Sequence, residues 1–392
     1  MVVAGSGVAL TGEVLAADGL DVSIAYITQK EEVLLPLSLL DHPVPEDLGR
    51  MGAAQALAEN QTTGNFLGHR YQGNDVVVPE DGDLLQAFKD AVSAGNRLFI
   101  ADLHADQLRA LAALPEAEGT LLFNTRAEDD ALRLDDCNAN VFHVMPSRAM
   151  KADALAQYLI WKQWPKWFLM HGTRPEDLAY KAAIERAAVK FGAKIVETRA
   201  YEYQATARRT DSGHVQIQRQ IPILTQEAEE HDVLMVADES DIFGEYLPYR
   251  TWEPRPVAGT QGLIASAWHR SQEQWGATQV QRRFNKFSGR WMLERDYTAW
   301  LAVRIIGEAV TRTASADPAV IRDYLRSDQF EIAAFKGEGL TFRSWNQQLR
   351  QPVLVVGPRM LVSVSPQDQF LHRRTPLDTL GYDEPESQCR LD

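Results

Sequence analysis

The chain has 392 residues, of which 45% are hydrophobic and 24% charged, values close to those of globular proteins with a buried core. Its formal net charge of −14 argues against nucleic acid or an anionic membrane surface as the main partner, because both repel an acidic protein. The sequence has no apolar run near the roughly 18 residues of a membrane span. A small anionic ligand remains compatible with this charge, since screening makes the charges lining a cleft matter more than distant ones.

The N-terminal segment, residues 1–19, has a short apolar region followed by Leu15-Ala16-Ala17, a small-residue pattern typical of a signal-peptide cleavage site. The basic residues that normally open a signal peptide are missing. We therefore expect a truncated signal segment of an exported protein, with an ordinary flexible terminus as the alternative.

From Leu20 onward, apolar segments of strand length alternate with segments of helical periodicity. The first run predicts strands at 21–27, 74–80, 97–103, 119–125 and 140–146, with helices at 45–60 and 82–95. The second run predicts strands at 167–171, 193–201, 231–240 and 261–269, with helices at 146–164, 175–192 and 294–310. The pattern leaves the state of 204–227 open between helix and strand.

This alternation predicts an α/β protein with mostly parallel sheets that are covered by helices on both faces. Two such runs predict two lobes, and two lobes in contact form a cleft, which is a common place for small ligands. In open parallel sheets the ligand lies beyond the carboxyl ends of the strands.

Several segments, in this order, resemble type I periplasmic solute-binding proteins of the branched-chain amino-acid-receptor class, which serve ABC importers. They are "GRMGAAQALAENQTTG" (49–64), "FHVMPSRAMKADALAQYL" (142–159) and the stretch from "RFNKFSGRW" to "VIRDYLRS" (283–327). The blocks at 36–49, 210–222, 236–263 and 379–392 resemble one subfamily, the substrate-binding component of ABC systems associated with quinoprotein alcohol oxidation, which depends on pyrroloquinoline quinone (PQQ).

The resemblance implies a periplasmic, monomeric protein whose two lobes close on a ligand in the manner of a Venus flytrap and whose partners are the membrane components of an ABC transporter. It also implies that the chain crosses between the lobes more than once. We expect lobe 1 to comprise 20–143 and 268–332, lobe 2 to comprise 144–267 and 333–365, and 366–392 to form a C-terminal tail.

The chain has two cysteines, Cys137 and Cys389. In an exported protein an isolated pair is a natural disulfide candidate, and Cys389 lies in a polar tail that would otherwise fray. We predict a Cys137–Cys389 disulfide, with two unpaired thiols as the alternative.

Three arginines stand where a predicted strand gives way to a loop or a helix: Arg126, Arg148 and Arg174. Backbone N–H groups at helix N-termini favour anions, and a guanidinium adds a planar donor pair that suits a carboxylate. With their neighbours they form the candidate anion site Asn124, Thr125, Arg126, Arg148, Thr173 and Arg174. The family's amino-acid binders use Ser/Thr-rich loops here, so the arginines favour a di- or tricarboxylate over an amino acid. The alternative is that each arginine pairs with a nearby acid such as Glu128, Asp129 or Glu176.

Aromatic side chains supply the second part of the predicted site. A flat ligand could stack on them while the arginines hold its periphery. The candidates are Trp268 and His269 after a strand, Arg295 with its neighbours Tyr297 and Trp300 near the start of a helix, and Glu239 at the end of the strand segment "VLMVADES". The alternative for the aromatic residues is core or hinge packing.

PQQ is a planar tricyclic quinone with three carboxylates, and we expect it to be the bound ligand rather than a catalytic cofactor. A small carboxylate, aldehyde or alcohol of the same pathway, or ligand sensing in place of uptake, are the alternatives. No P-loop, G-x-G-x-x-G, H-E-x-x-H or G-x-S-x-G pattern supports an enzyme. The carboxylates Asp238, Glu239 and Asp241 could act as acid and base, but their place at a strand end favours binding. We therefore predict neither catalytic residues nor metal ligands.

Overall fold

The computed structural model describes residues 19–31, 44–202 and 214–391. The predicted signal segment, except Gly19, lies outside the described residues. So do most of the block at 36–49, the start of the block at 210–222 and the last residue of the block at 379–392.

The secondary structure alternates strands and helices along most of the described chain. The strands are β1 (Leu20–Gln29), β2 (His69–Val78), β3 (Leu98–Asp102), β4 (Leu121–Asn124), β5 (Val141–His143), β6 (Lys166–His171), β7 (Lys194–Ala200), β8 (Val233–Ala237), β9 (Val257–Gly259), β10 (Leu263–Ser266), β11 (Ile332–Ala333), β12 (Gly339–Phe342), β13 (Leu349–Arg350), β14 (Val353–Gly357) and β15 (Met360–Ser365). The helices are α1 (Arg50–Leu67), α2 (Leu84–Ser93), α3 (Ala105–Ala112), α4 (Arg148–Trp161), α5 (Pro175–Phe191), α6 (His214–Thr225), α7 (Leu247–Arg250), α8 (Ala277–Ser288), α9 (Glu294–Thr313) and α10 (Pro318–Arg326).

The first lobe is built on a parallel sheet with the strand order β2-β1-β3-β4-β5. Alternate residues of β1 enter two different cores, as the period of a strand requires. Ile24 and Tyr26 pack with α1 and α9 on one face, and Ala25 and Ile27 pack with α2 and α3 on the other. Both faces are therefore covered, and the carboxyl ends of the strands are left for a ligand.

Helix α9 belongs to the first lobe and packs against α1. The contact is close at Gly52 of α1, where a Cβ atom would lie 1.9 Å from the carbonyl oxygen of Asp296. Only a residue without a side chain lets the two helices approach this far. The approach fixes the N-terminus of α9, and with it Glu294 and Arg295, beside the sheet.

The second lobe is built on a sheet of seven strands in the order β15-β14-β10-β9-β8-β6-β7. The pairings among β6 to β10 are parallel, whereas β14 and β15 join the sheet antiparallel to their neighbours. Helices α4 and α5 cover one face, and α6 and α7 cover the other. The predicted fold class is confirmed: each lobe is a mostly parallel sheet flanked by helices. Residues His214–Thr225 of the open segment form a helix.

The chain crosses between the lobes at three places. The first crossing leads from β5 into α4, the second follows Ser266, and the third joins β13 to β14. The expected return to the second lobe at residue 333 is too early. Leu340, Phe342 and Leu349 of the small sheet β11-β12-β13 pack in the first-lobe core, and Val353 is the next residue in the second-lobe core.

The C-terminal segment 366–391 packs along both lobes. Leu380 enters the second-lobe core, and the backbone N–H of Gly381 donates to Asp153 of α4. Further on, the N–H of Gln388 donates to the carbonyl of Leu134 in the first lobe, next to the Cys137–Cys389 disulfide. The predicted disulfide is confirmed, and the tail forms a fourth connection between the lobes. Within the three described ranges, no helix combines the length and apolar character needed to cross a membrane.

Candidate ligand-binding cleft

Loops at the carboxyl ends of the two parallel sheets meet between the lobes around Arg148, and we call the region between these loops the interlobe cleft. The loop after β4 carries Glu128 and Asp129 toward the N-terminus of α4, whose first residue is Arg148. The N–H of Arg148 donates to the carbonyl of Glu128 at 2.9 Å, so the two lobes touch here through the backbone. The cleft therefore lies where the strand pattern predicts a ligand.

Arg148 is a buried cation held by acids from both lobes. Its Nε lies 2.9 and 3.0 Å from the two carboxylate oxygens of Glu239, and its Nη2 lies 2.7 Å from one of them. Its Nη1 lies 3.0 Å from Asp129. Burial alone would lower the pKa of Arg148, but the nearby carboxylates Glu239 and Asp129 raise it above its usual value. For Glu239, burial has the larger effect and raises the pKa of the carboxyl group. The structure thus brings the predicted residues Arg148 and Glu239 together, with Asp129 as a third partner.

Arg126 lies on the first-lobe wall and pairs with Glu31. Nη1 of Arg126 is 2.5 Å from one carboxylate oxygen of Glu31 and Nη2 is 2.8 Å from the other. Nε2 of His104 reaches the same carboxylate at 2.6 Å. Partial burial would raise the pKa of Glu31, but the hydrogen bonds from His104 and Arg126 hold it well below its usual value. Glu31 and His104 were not among the predicted residues.

Asn124 and Thr125 support the loop through internal hydrogen bonds, and a ligand contact of either residue stays a prediction. The Asn124 side chain accepts from the N–H of Ala127 at 2.8 Å and donates to its carbonyl at 2.8 Å. The Thr125 hydroxyl donates to the carbonyl of Ala101. Both side chains are buried. Asn124 closes the turn that presents Arg126, because a short amide can replace the missing backbone partners.

Thr173 and Arg174 are exposed at the entry to α5. The N–H of Arg174 donates to Asp177, and Asp177 also accepts from the N–H of Ser240 at 2.9 Å. These bonds tie the loop after β6 to the loop after β8. Among the residues that the structure describes, no carboxylate pairs with the guanidinium of Arg174, which remains available at the second-lobe wall.

The predicted aromatic platform is not an open surface in the structure. The ring of Trp268 stacks on that of Tyr297 at 4.4 Å with 5° between the planes, and both residues belong to the first-lobe core. Trp300 is also in that core and donates through Nε1 to Glu59 at 2.9 Å. Neighbouring side chains cover the rings of Tyr297 and Trp300, so neither ring has an open face in this structure, and their contact with a ligand stays a prediction. His269 is half-buried and bonds to Ser271 at 2.6 Å.

Arg295 is also paired rather than free. It holds Asp102 at the end of β3 with Nε at 3.0 Å and Nη2 at 2.7 Å, and the hydroxyl of Tyr26 donates to the same carboxylate. Asp102 is 2% exposed and Arg295 25% exposed at the side chain. The pair fastens the start of α9 to the sheet, so Arg295 has a structural role besides the predicted ligand contact.

A second set of charged groups lies at the crossings between the lobes, and we call Lys151, Glu128, Glu294 and Lys336 the hinge cluster. Nζ of Lys151 lies 2.6 Å from Glu128 and 2.9 Å from Glu294. Glu294 also accepts from the N–H of Ala267 in the second crossing. Lys336 donates to Gln351 at 2.6 Å and to the carbonyl of Pro352 at 2.9 Å in the third. The cluster therefore touches the second and third crossings directly, and the first through α4.

Burial dominates the electrostatics of the hinge cluster. It raises the pKa of Glu128 to about 7, because the repulsion of Glu294 and Glu239 adds to burial while Lys151 counteracts it only in part. It lowers the pKa of Lys336 to about 7. The sequence offered one signal for this cluster: Lys151 follows Arg148 by one turn of the same helix and so points the same way.

The described ranges 19–31, 44–202 and 214–391 contain no group of three or more His, Cys, Asp or Glu side chains that could hold a metal ion. The charged groups can instead hold a polar molecule by hydrogen bonds and ion pairs. Arginine suits this task at a carboxylate because its two parallel N–H donors match the two oxygens.

No protein-family model matches the chain, and no curated protein matches it in sequence. Solved structures do resemble it in fold. An amino acid ABC transporter substrate-binding protein from Pseudomonas fluorescens Pf-5 is 12% identical, with a TM-score of 0.65 over 90% of this chain and 97% of that one.

Two further structures show the same likeness. A branched chain amino acid ABC transporter periplasmic ligand-binding protein from Burkholderia xenovorans LB400 is 14% identical, with a TM-score of 0.69 over 95% of this chain and 99% of that one. The substrate binding protein LivJ from Streptococcus pneumoniae, in complex with isoleucine, is 11% identical, with a TM-score of 0.62 over 88% and 99%. At identities this low, the structural likeness shows the fold alone. The chain has the fold of the type I periplasmic binding proteins.

Proposed function

We propose that the protein is a periplasmic solute-binding protein that captures an anionic ligand between its lobes for an ABC uptake system. The observation that carries this proposal is the arrangement of cations on both walls of the cleft. Arg126 stands on the first-lobe wall, and Arg148 and Arg174 stand at helix N-termini of the second lobe. Such positions at the carboxyl ends of parallel strands favour an anion.

The ligand that we propose is PQQ, on the strength of its three carboxylates. Arg174 is available to one of them, because among the described residues it has no carboxylate partner. Arg126 is available by exchange, since its partner Glu31 is 46% exposed at the side chain and can turn into solvent. At Arg148 the exchange concerns Nη1 alone, whose partner Asp129 is 39% exposed, while Glu239 keeps Nε and Nη2. Tyr297 and Trp300 are core residues, so the argument rests on the charges of PQQ and not on its flat shape.

Titration of the purified protein with PQQ, followed by calorimetry and by tryptophan quenching, tests this proposal. We expect saturable binding with a dissociation constant below about 10 μM. Substituting Arg174→Ala removes one charge-assisted hydrogen-bond donor and should weaken binding by about 1.5–3 kcal/mol.

The matched control is Arg312→Ala, which removes an exposed arginine of α9 whose ion-pair partner is Glu308. It should leave the affinity for PQQ unchanged. Equal affinities for Arg174→Ala and the parent would remove Arg174 from the site, and a parent protein without saturable binding would overturn PQQ as the ligand.

A zwitterion such as an amino acid is the second candidate, and a specific observation favours it. Glu239 and Asp129 stand beside Arg148, so the cleft offers acids for an ammonium group as well as cations for a carboxylate. One structurally similar protein is in complex with isoleucine. Calorimetry with leucine, isoleucine, a small hydroxy acid and a neutral alcohol, in parallel with PQQ, separates these ligand classes.

The uptake role implies transporter subunits in the membrane as partners, whereas a sensing role implies a signalling partner. Deleting the gene separates the two roles. Loss of uptake of labelled ligand supports transport, and intact uptake with a lost transcriptional response supports sensing. No turnover of PQQ or alcohols is expected, and product formation would contradict the binding role.

A further inference from the structure

The carboxylate of Glu31 already pairs with the guanidinium of Arg126, to which the proposed ligand would bind on the first-lobe wall. The carboxylate of Glu31 binds Arg126 through both oxygens, at 2.5 and 2.8 Å, in the geometry that an arginine offers to a bound carboxylate. His104 holds one of the same oxygens at 2.6 Å. Glu31 therefore stands where a ligand carboxylate would stand.

The three side chains come from neighbouring strands of the first sheet. Glu31 follows β1, His104 follows β3 and Arg126 follows β4, and these strands are adjacent in the order β1-β3-β4. Their carboxyl ends lie at one edge of the sheet, which places the group on the wall of the cleft and not in the core. The contact joins residues separated by 95 positions in the chain.

Glu31 is more exposed at the side chain than Asp129 and Glu239, the two acids that hold Arg148. Its side chain is 46% exposed, against 20% for Glu239, whereas Arg126 is only 15% exposed. The anion can therefore turn into water, where it is well solvated, while the cation stays at the wall. Exchange of Glu31 for another carboxylate keeps the guanidinium of Arg126 paired, so it costs less than leaving this largely buried cation without a partner.

We propose that Glu31 is a specificity-determining residue of the cleft: it serves as an internal carboxylate on Arg126 that an anionic ligand must displace. A neutral solute cannot displace Glu31 and gains nothing from Arg126. A monocarboxylate replaces one carboxylate by another, so only a ligand with further carboxylates for Arg148 or Arg174 gains net affinity. This inference rests on the proposed function, since it concerns the selectivity of the same cleft.

The variant Glu31→Gln tests the inference by keeping the shape of the side chain and removing its charge. We expect the affinity for PQQ to rise about tenfold, a change that corresponds to one strong charge contact. A monocarboxylate such as glycolate should gain affinity in the same way, whereas a neutral alcohol should not. The conservative variant Glu31→Asp, which keeps the charge, should behave closer to the parent.

A second readout does not depend on any ligand. Phenylglyoxal modifies accessible arginines, and peptide mass spectrometry locates the modified residue. Arg126 should react faster in Glu31→Gln than in the parent. The matched control is Glu116→Gln on the same lobe, a paired surface glutamate whose partner is Lys89, which should leave Arg126 unchanged.

The two readouts separate the failure of this inference from the failure of the proposed function. A parent that binds PQQ and a Glu31→Gln variant with the same affinity and the same Arg126 reactivity overturn the inference alone. If Arg126 becomes more reactive while neither protein binds PQQ or glycolate, the proposed function fails and the selectivity role of Glu31 fails with it.

Discussion

Two groups of charged residues shape the cleft, and they differ in how firmly they are held. In the hinge cluster, Lys151 is 9% exposed at the side chain and bonded to two acids. We define the cleft rim as Glu31, Arg126 and Arg174. Here the side chain of Glu31 is 46% exposed, and Arg174 has no acid partner among the described residues. Buried charges must keep their partners, whereas exposed ones can exchange them. The same residue types therefore serve structure at the hinge and binding at the rim.

The largest effect is expected from Lys151→Met in the hinge cluster. This change removes the cation that bonds both Glu128 and Glu294, and it should lower the free energy of unfolding by about 3–5 kcal/mol. Denaturant unfolding measures it. Arg174→Ala at the rim is the control and should change stability by less than about 0.5 kcal/mol. Comparable losses in the two variants would abolish the distinction between hinge and rim.

The next effect concerns the C-terminal tail, which bonds to Arg343 and Arg350 just before the third crossing and so belongs to the hinge side. Replacing Cys137 and Cys389 by serine opens a loop of 252 residues and should lower stability by about 2–4 kcal/mol. Hydrogen exchange should become faster at the N–H of Gln388, which bonds to Leu134. Unchanged exchange there would show that the tail holds its place without the disulfide.

The third effect is a pH dependence of opposite sign in the two groups. Burial raises the pKa of Glu128 from 4.5 to about 7, so the folded state binds its proton more tightly than the unfolded state. Stability from this group is complete below pH 4.5 and is lost as the pH rises through 7. Glu128→Gln removes the titrating group and with it that loss. The free energy of unfolding of the variant relative to the parent should therefore rise by about 1–3 kcal/mol between pH 4.5 and pH 8.

Glu31 at the rim should show the reverse slope in the same measurement. His104 and Arg126 hold its pKa well below the usual value, so its contribution is present above pH 4.5 and is lost as the pH falls below that value. Glu31→Gln should therefore flatten the loss of stability in acid. Denaturant unfolding of both variants over a pH series checks the two slopes together, and slopes of the same sign would contradict the contrast.

Much of the fold was predictable because strands and helices repeat with different periods. The apolar segments at 97–103 and 231–240 contain β3 and β8, which are buried along their whole length. Helix α3 (Ala105–Ala112) was missed, because eight residues are too few for a clear helical period. Helix α1 begins at Arg50 and not at the predicted residue 45, since Gly49 has a φ of 78° and cannot continue a helix.

The candidate site was predictable only in part. Arg148 and Arg174 could be located because a helix start has its own signals, Ser147 and Pro175. The pairing of Arg126 with Glu31 could not, since it depends on which strands become neighbours in the sheet. The burial of Trp300 could not be predicted either. The periodicity of a helix shows that the helix has an apolar face, but it does not show which other elements pack beside that face.

The sequence by itself determined the strand and helix alternation, the two α/β lobes and the positions of arginines at the ends of elements, because these follow from local periodicity and end signals. Only the tertiary structure decided which of those cations remain available. Pairing is a property of distance in space: Glu31, Asp102 and Glu239 reach Arg126, Arg295 and Arg148 across 95, 193 and 91 positions of the chain. Arg174 is left open because, among the described residues, no acid approaches its guanidinium.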